Sequence, residues 1–140
     1  MSSEISNLVF IVDDDPDDRQ IILDAFLKNH ADMDYEFINS ANDLLARLFN
    51  MGTDYPSLIV LDLNMPGIMG LQALKEIRQN KKFSQIPIVV LTTSTLGNDR
   101  KSAYELGASC FLTKPDSFSE MIEYTNAMIT LWFKAVKQER

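Results

Sequence analysis

Five short apolar runs alternate along the chain with segments whose apolar residues recur at helical spacing. The first run, Leu8-Val9-Phe10-Ile11-Val12, stops at an acidic cluster. The second, Tyr35-Glu36-Phe37-Ile38-Asn39, alternates polar and apolar residues, the pattern of an edge or half-exposed strand. The third, Leu58-Ile59-Val60-Leu61, stops at Asp62. The fourth, Ile86-Pro87-Ile88-Val89-Val90-Leu91, stops at Thr92, and the fifth, Ser109-Cys110-Phe111-Leu112-Thr113, stops at Lys114-Pro115. Runs one, three and four are continuously apolar, as parallel strands buried on both faces are. Between the runs, Ile22 and Phe26, then Leu44, Leu45, Leu48 and Phe49, then Leu71, Leu74 and Ile77 mark three helices. A shorter helix is predicted from about Asn98 to Leu106, closed by Gly107, since glycine suits the position just past a helix end. The last helix is predicted from Ser117 to about Gln138, with a core stripe of Phe118, Met121, Ile122, Thr125, Met128, Ile129 and Trp132. Strict alternation of strand and helix predicts an α/β fold, a doubly wound parallel sheet with helices on both faces.

At 140 residues the chain suits one domain, read as residues 8–140 behind a loose tail at 1–7. It is 46% hydrophobic and 24% charged, ordinary globular usage, so disorder is not expected. One cysteine, Cys110, excludes an internal disulfide framework and any zinc site with two cysteines, and fits a reducing cytoplasm. It reads as a small buried hydrophobe. The only histidine, His30, reads as exposed near a helix end, which argues against histidine-based catalysis. A net charge of −7 with no basic block argues against nucleic acid as a partner. No apolar run approaches a membrane span of about 20 residues, so membrane insertion is not expected. The N-terminus lacks the basic start of a signal peptide, so a cytoplasmic location is expected.

The polar residues matter by position. The first run ends in Asp13-Asp14-Asp15, the third in Asp62, the fourth in Thr92 and the fifth in Lys114. Ligands of doubly wound sheets bind at the carboxyl ends of the strands, so these side chains converge on one crevice. Clustered carboxylates repel one another unless a cation joins them. One or two carboxylates with water and a phosphoryl oxygen make the usual Mg²⁺ arrangement. A carboxylate is also a nucleophile able to form an aspartyl phosphate, and a lysine and a hydroxyl suit phosphoryl oxygens. Asp15, Asp17 and Asp18 read instead as a solvated helix start.

Val12-Asp13-Asp14-Asp15-Pro16, Leu61-Asp62-Leu63-Asn64-Met65-Pro66-Gly67, Leu91-Thr92-Thr93-Ser94, Gly107-Ala108 and Phe111-Leu112-Thr113-Lys114-Pro115 occur in this order, each beside a predicted strand end. Together they resemble the receiver domain of two-component response regulators, of the CheY-like single-domain kind, over residues 8–135. The resemblance implies a flavodoxin-like five-stranded sheet of order 2-1-3-4-5. It implies Asp62 as phosphoacceptor. Mg²⁺ is then held by Asp14 directly, by Asp13 mainly through water, by Asp62 and by the backbone carbonyl of Asn64. Thr92 matches the hydroxyl that follows the phosphoryl group, Lys114 the lysine that pairs with it, and Phe111 the aromatic switch position. Pro115 matches the proline after a cis bond. Asn64 and Ser94 match positions that tune phosphoryl lifetime, and Met69 replaces a common acid before Gly70. The implied activity is a phosphorylation-dependent switch rather than an enzyme acting on other molecules. Its implied partners are a sensor histidine kinase or phosphotransfer protein and an unidentified output protein, with no output domain expected in the chain.

Two rival readings were open. A haloacid-dehalogenase-like phosphatase could use Asp13 and Asp15, but Asp17 stands where Thr or Val is usual and Asp62 is left without a role. FMN binding needs a Ser/Thr/Gly-rich phosphate loop, where this chain has aspartates. On the last helix, Tyr124, Ala127, Leu131 and Ala135 form a second apolar stripe with Phe133 nearby. Two uses are open for it, packing within the domain or a two-fold homodimer.

Overall fold

In the computed structural model the described residues are 7–29, 32–52, 54–65, 70–93 and 97–134. The strands are β1 (Leu8–Val12), β2 (Asp34–Ile38), β3 (Leu58–Leu61), β4 (Ile88–Thr92) and β5 (Cys110–Thr113). All pairings are parallel and the order is β2-β1-β3-β4-β5. The alternating run β2 is an edge strand, while the continuous runs β1, β3 and β4 lie inside the sheet. The helices are α1 (Pro16–Lys28), α2 (Ala41–Asn50), α3 (Gly70–Arg78), α4 (Gly97–Glu105) and α5 (Phe118–Ile129).

Residues two apart on a strand share a face, so each strand feeds two cores. Phe10 and Val12 pack with Leu44 and Leu48 of α2, Leu74 and Ile77 of α3 and Ala103 of α4. Val9 and Ile11 pack on the other face with Ile22 and Phe26 of α1 and Met121, Met128 and Ile129 of α5. Helix starts are set by short polar side chains. Asp15 caps α1 by accepting from the Asp17 amide, with Pro16 at the first helical position, where no N–H is needed. Ser40 and Ser117 cap α2 and α5 in the same way. Gly107 follows α4 with φ +106°, as its sequence position predicts. A Cβ there would lie 2.6 Å from Arg78 Cγ, whose Nε donates to the Gly107 carbonyl at 2.8 Å.

The last helix departs from the prediction. Its α-helical part ends at Ile129, and Thr130–Lys134 form a wider π turn. A π turn spaces bonded residues by five, so Phe133 falls beneath Met128 and is buried, while Trp132 is half-buried. Phe133 therefore belongs to the core and not beside an outer stripe. Phe118, expected in the core, is 41% exposed because it is the first residue of α5. Of the second stripe, Tyr124 is half-buried, Ala127 and Leu131 are exposed, and Ala135 lies outside the described residues, as does His30.

Candidate functional site

The site is built by the last rungs of the sheet. The Asp13 amide donates to Ile38 O at 3.0 Å, the Asp62 amide to Val12 O at 3.0 Å and the Lys114 amide to Thr92 O at 2.8 Å. Three functional side chains thus leave backbone already locked to its neighbours. Strand order reverses around β1, which opens the crevice at this edge.

Asp13 and Asp62 are buried and Asp14 is exposed, yet one carboxylate oxygen from each lies within 4.8 Å of the others. The Lys114 ammonium reaches into the group. It contacts Asp13 Oδ2 at 2.7 Å, Asp18 Oδ2 at 2.8 Å and Asp62 Oδ2 at 3.5 Å. Burial pushes the Asp13 carboxyl above its ordinary pKa, with the nearby Asp62 charge acting the same way. The Lys114 hydrogen bond and the Asp15 amide, which donates to Asp13 Oδ1 at 3.0 Å, oppose that only in part. Burial also disfavours the Lys114 ammonium, but its bonds to Asp13 and Asp18 and the charges of Asp62 and Asp13 outweigh it, so its pKa is raised.

Asn64 bridges the acceptor to β4. Its amide donates to Asp62 Oδ1 at 3.3 Å, and its side chain donates to Thr92 Oγ1 at 3.2 Å. Thr92 is fully buried. Gly70, at the start of α3, passes so close that a Cβ would sit 2.8 Å from the Asp62 carbonyl oxygen and 2.7 Å from Leu63 Cα. Only glycine permits that approach without moving the acceptor's backbone. Phe111 is buried, with its amide donating to Tyr104 Oη at 3.0 Å and the Arg100 guanidinium 5.4 Å from its ring centre.

The structure therefore brings together Asp13, Asp14, Asp62, Asn64, Thr92 and Lys114, as expected. Phe111 lies further along the same strand with its ring already inward. One expectation is corrected: there is no cis peptide among the described residues, and the Lys114–Pro115 bond is trans. The cis form costs about 0.5–1 kcal/mol at an X–Pro bond, and Lys114 reaches Asp13 and Asp62 without it. Met69 and Ser94 lie outside the described residues.

Two site residues escaped the sequence reading. By its sequence Asp18 belongs to a solvated first turn, yet its carboxylate holds Lys114. Its signal was spacing: it stands four residues after Asp14, in the first turn of a helix that starts at the crevice. Arg19 donates from Nη1 to the Asp13 carbonyl at 2.9 Å and also to the Asn39 side chain, tying the ends of β1 and β2. Its partners lie on other elements, so no local pattern announced it.

The response regulator receiver domain model matches residues 9–126. The chain belongs to that family. Response regulator Rcp1 of Synechocystis is 29% identical over 133 residues, covering 92% of this chain and 90% of Rcp1. A crystal structure of the Mn²⁺-bound form of Rcp1 superposes with a TM-score of 0.80 at 29% identity, covering 90% of this chain and 94% of that one. The phosphorylated cyanobacterial phytochrome response regulator RcpA gives a TM-score of 0.84 at 27% identity, covering 93% and 96%. This receiver domain is thus a signalling protein of the two-component class. Its Asp13, Asp14 and Asp62 form an acidic group whose all-oxygen donor set suits a hard divalent cation.

Proposed function

We propose that the protein is a phosphorylation-dependent switch whose acceptor is Asp62. The supporting observation is the buried Asp62 carboxylate held beside Lys114 and within cation-sharing distance of Asp13 and Asp14. A carboxylate oxygen of Asp62 attacks the phosphorus of a phosphohistidine, the P–N bond breaks, and its electron pair stays on the histidine nitrogen. The donor is a sensor histidine kinase or phosphotransfer protein, and the reading places the protein in the cytoplasm with its ATP-dependent donor. Mg²⁺, when held by Asp14, Asp62 and the Asn64 carbonyl with Asp13 acting through water, supplies charge neutralisation at the transferring oxygens. Lys114 carries a positive charge into the same space, and Asn64 keeps Thr92 Oγ1 beside the acceptor.

Phosphorylation adds charge and acceptor oxygens at Asp62. Thr92 moves toward one of those oxygens and donates to it, its Oγ1 still able to accept from Asn64, and the shift passes to the paired strand β5 that carries Phe111. The output is a changed face at α4 and β5, read by a separate output protein. The phosphatase reading has less support, since the Asp15 carboxylate serves as the cap of α1, accepting from the Asp17 amide. Self-association through the last helix belongs to the proposal, supported by the exposed Ala127 and Leu131.

The test mixes protein, Mg²⁺ and a small acyl phosphate and locates the added phosphoryl group by mass spectrometry. The expected result is one group on Asp62, none in Asp62→Asn, and loss of most Mg²⁺ affinity in Asp14→Ala. Uptake on the same peptide by Asp62→Asn overturns the assignment.

A further inference from the structure

Lys114 has three N–H donors, and in this structure two of them are fully engaged away from the acceptor. The ammonium is 2.7 Å from Asp13 and 2.8 Å from Asp18 but 3.5 Å from Asp62. Asp13 is fixed from both sides, since its amide and carbonyl bond to Ile38 and Arg19 and its Oδ1 accepts from Asp15. Asp18 rides instead on the first turn of α1, with its side chain 35% exposed. Its carboxylate holds the ammonium at 2.8 Å, closer than the 3.5 Å contact with Asp62.

We infer that Asp18 is a positioning residue that competes with a phosphoryl group on Asp62 for the Lys114 ammonium. The inference rests on the reading of Asp62 as acceptor and adds to it a residue that sets how strongly the acceptor holds an anion. The third N–H reaches Asp62 Oδ2 only at 3.5 Å, so a short charge-assisted hydrogen bond from Lys114 to a phosphoryl oxygen draws the ammonium against its 2.8 Å contact with Asp18. The affinity of the site for a phosphoryl-like anion is therefore lower than Lys114 alone would set. The half-exposed position of Asp18 keeps the competition moderate, because water replaces Lys114 as its partner at small cost.

The experiment reads this at equilibrium, with beryllofluoride as the phosphoryl stand-in, in Mg²⁺, followed by ¹⁹F NMR. Asp18→Asn keeps the size of the side chain and removes its charge. It is expected to bind beryllofluoride more tightly than the native protein by at least about twofold, the lower end of coupling between groups in contact. Asp18→Glu is expected to return the affinity toward native. In a Lys114→Gln background, Asp18→Asn should have no further effect, because the competition acts through Lys114. Equal or weaker binding by Asp18→Asn overturns the inference. The same gain in the Lys114→Gln background overturns it too, because that is the signature of simple removal of negative charge. Beryllofluoride that ignores the native protein, or that binds Asp62→Asn unchanged, overturns the acceptor reading itself, a result distinct from native binding with an inert Asp18.

Discussion

Asp13 shows what a single buried charge does to this fold. Its carboxyl is 1% exposed, and burial raises its pKa above the ordinary 3.8 despite the Lys114 hydrogen bond. The folded state therefore binds the Asp13 proton more readily than the unfolded state does. By linkage, the contribution of this group to stability is most favourable below about pH 3.8 and falls as pH rises through the raised folded value. Asp13→Asn removes the charge and leaves Oδ1 to accept from the Asp15 amide. In chelator at pH 7 this variant should be more stable than native, because the cost of holding a buried charge is gone. Mg²⁺ should then raise the melting temperature of the native protein and do so much less for Asp13→Asn. Thermal unfolding with and without Mg²⁺ checks both, and a native protein more stable than Asp13→Asn in chelator counts against this account. Gly70 makes the complementary point, since its value to the site is the absence of a side chain beside the Asp62 carbonyl.

Elements communicate through a few polar ties laid over apolar contact. The clearest joins α1 to α5, the two helices of one face. Asn29, at the end of α1, donates to Thr125 Oγ1 at 2.9 Å and to Ile122 O at 3.3 Å, as well as to Ala25 O at 3.1 Å. Thr125 is fully buried, and its hydroxyl also contacts Met121 O at 3.1 Å. Deleting the Asn29 amide removes the donor to the buried Thr125 oxygen, whose hydroxyl keeps its own bond to Met121 O, and leaves Ala25 O at the helix end without that donor. Asn29→Ala is expected to cost about 0.5–1.5 kcal/mol, the net worth of a typical intramolecular hydrogen bond. Urea unfolding should show the midpoint falling at unchanged slope, and an unchanged midpoint would place the α1–α5 contact in the apolar residues alone. The Arg47–Glu36 pair, with one side chain 41% and the other 34% exposed, is a weaker tie despite its 2.7 Å contact.

At the scale of the whole molecule, all five βα units aim at one edge because every strand is parallel. Beside that edge, α4 holds Phe111 of β5, whose amide donates to Tyr104 Oη and whose ring lies 5.4 Å from the Arg100 guanidinium. The surface left for a second copy on the last helix is small. Leu131 is 58% exposed, with Ala127 beside it one turn back, while Phe133 has gone into the core. If these residues pair two copies, a charge there is costly to bury, so Leu131→Glu should sediment as a monomer where the native protein with beryllofluoride sediments as a dimer. Equal monomer masses at high micromolar concentration remove self-association from the proposal.

The parallel sheet with helices on both faces and the convergence of Asp13, Asp62, Thr92 and Lys114 were legible because each follows from a local pattern, while the strand order came from the family resemblance. Continuous apolar runs separate inner strands from the alternating edge strand, and period-two alternation assigns each strand residue to one of two cores. A polar residue that follows such a run then lands at the carboxyl edge, whatever the details of packing. What depends on distances between separate elements was not legible. Asp18 belongs to the site because the fold brings the first turn of α1 to Lys114, and nothing in an acidic helix start distinguishes a solvated carboxylate from one 2.8 Å from a lysine 96 residues away. Phe133 enters the core because a π turn adds a residue to the last turn of helix, a change in period that apolar spacing alone does not reveal. The trans bond before Pro115 is decided in the same way, since the two isomers differ by about 0.5–1 kcal/mol and only the packing around the crevice selects between them.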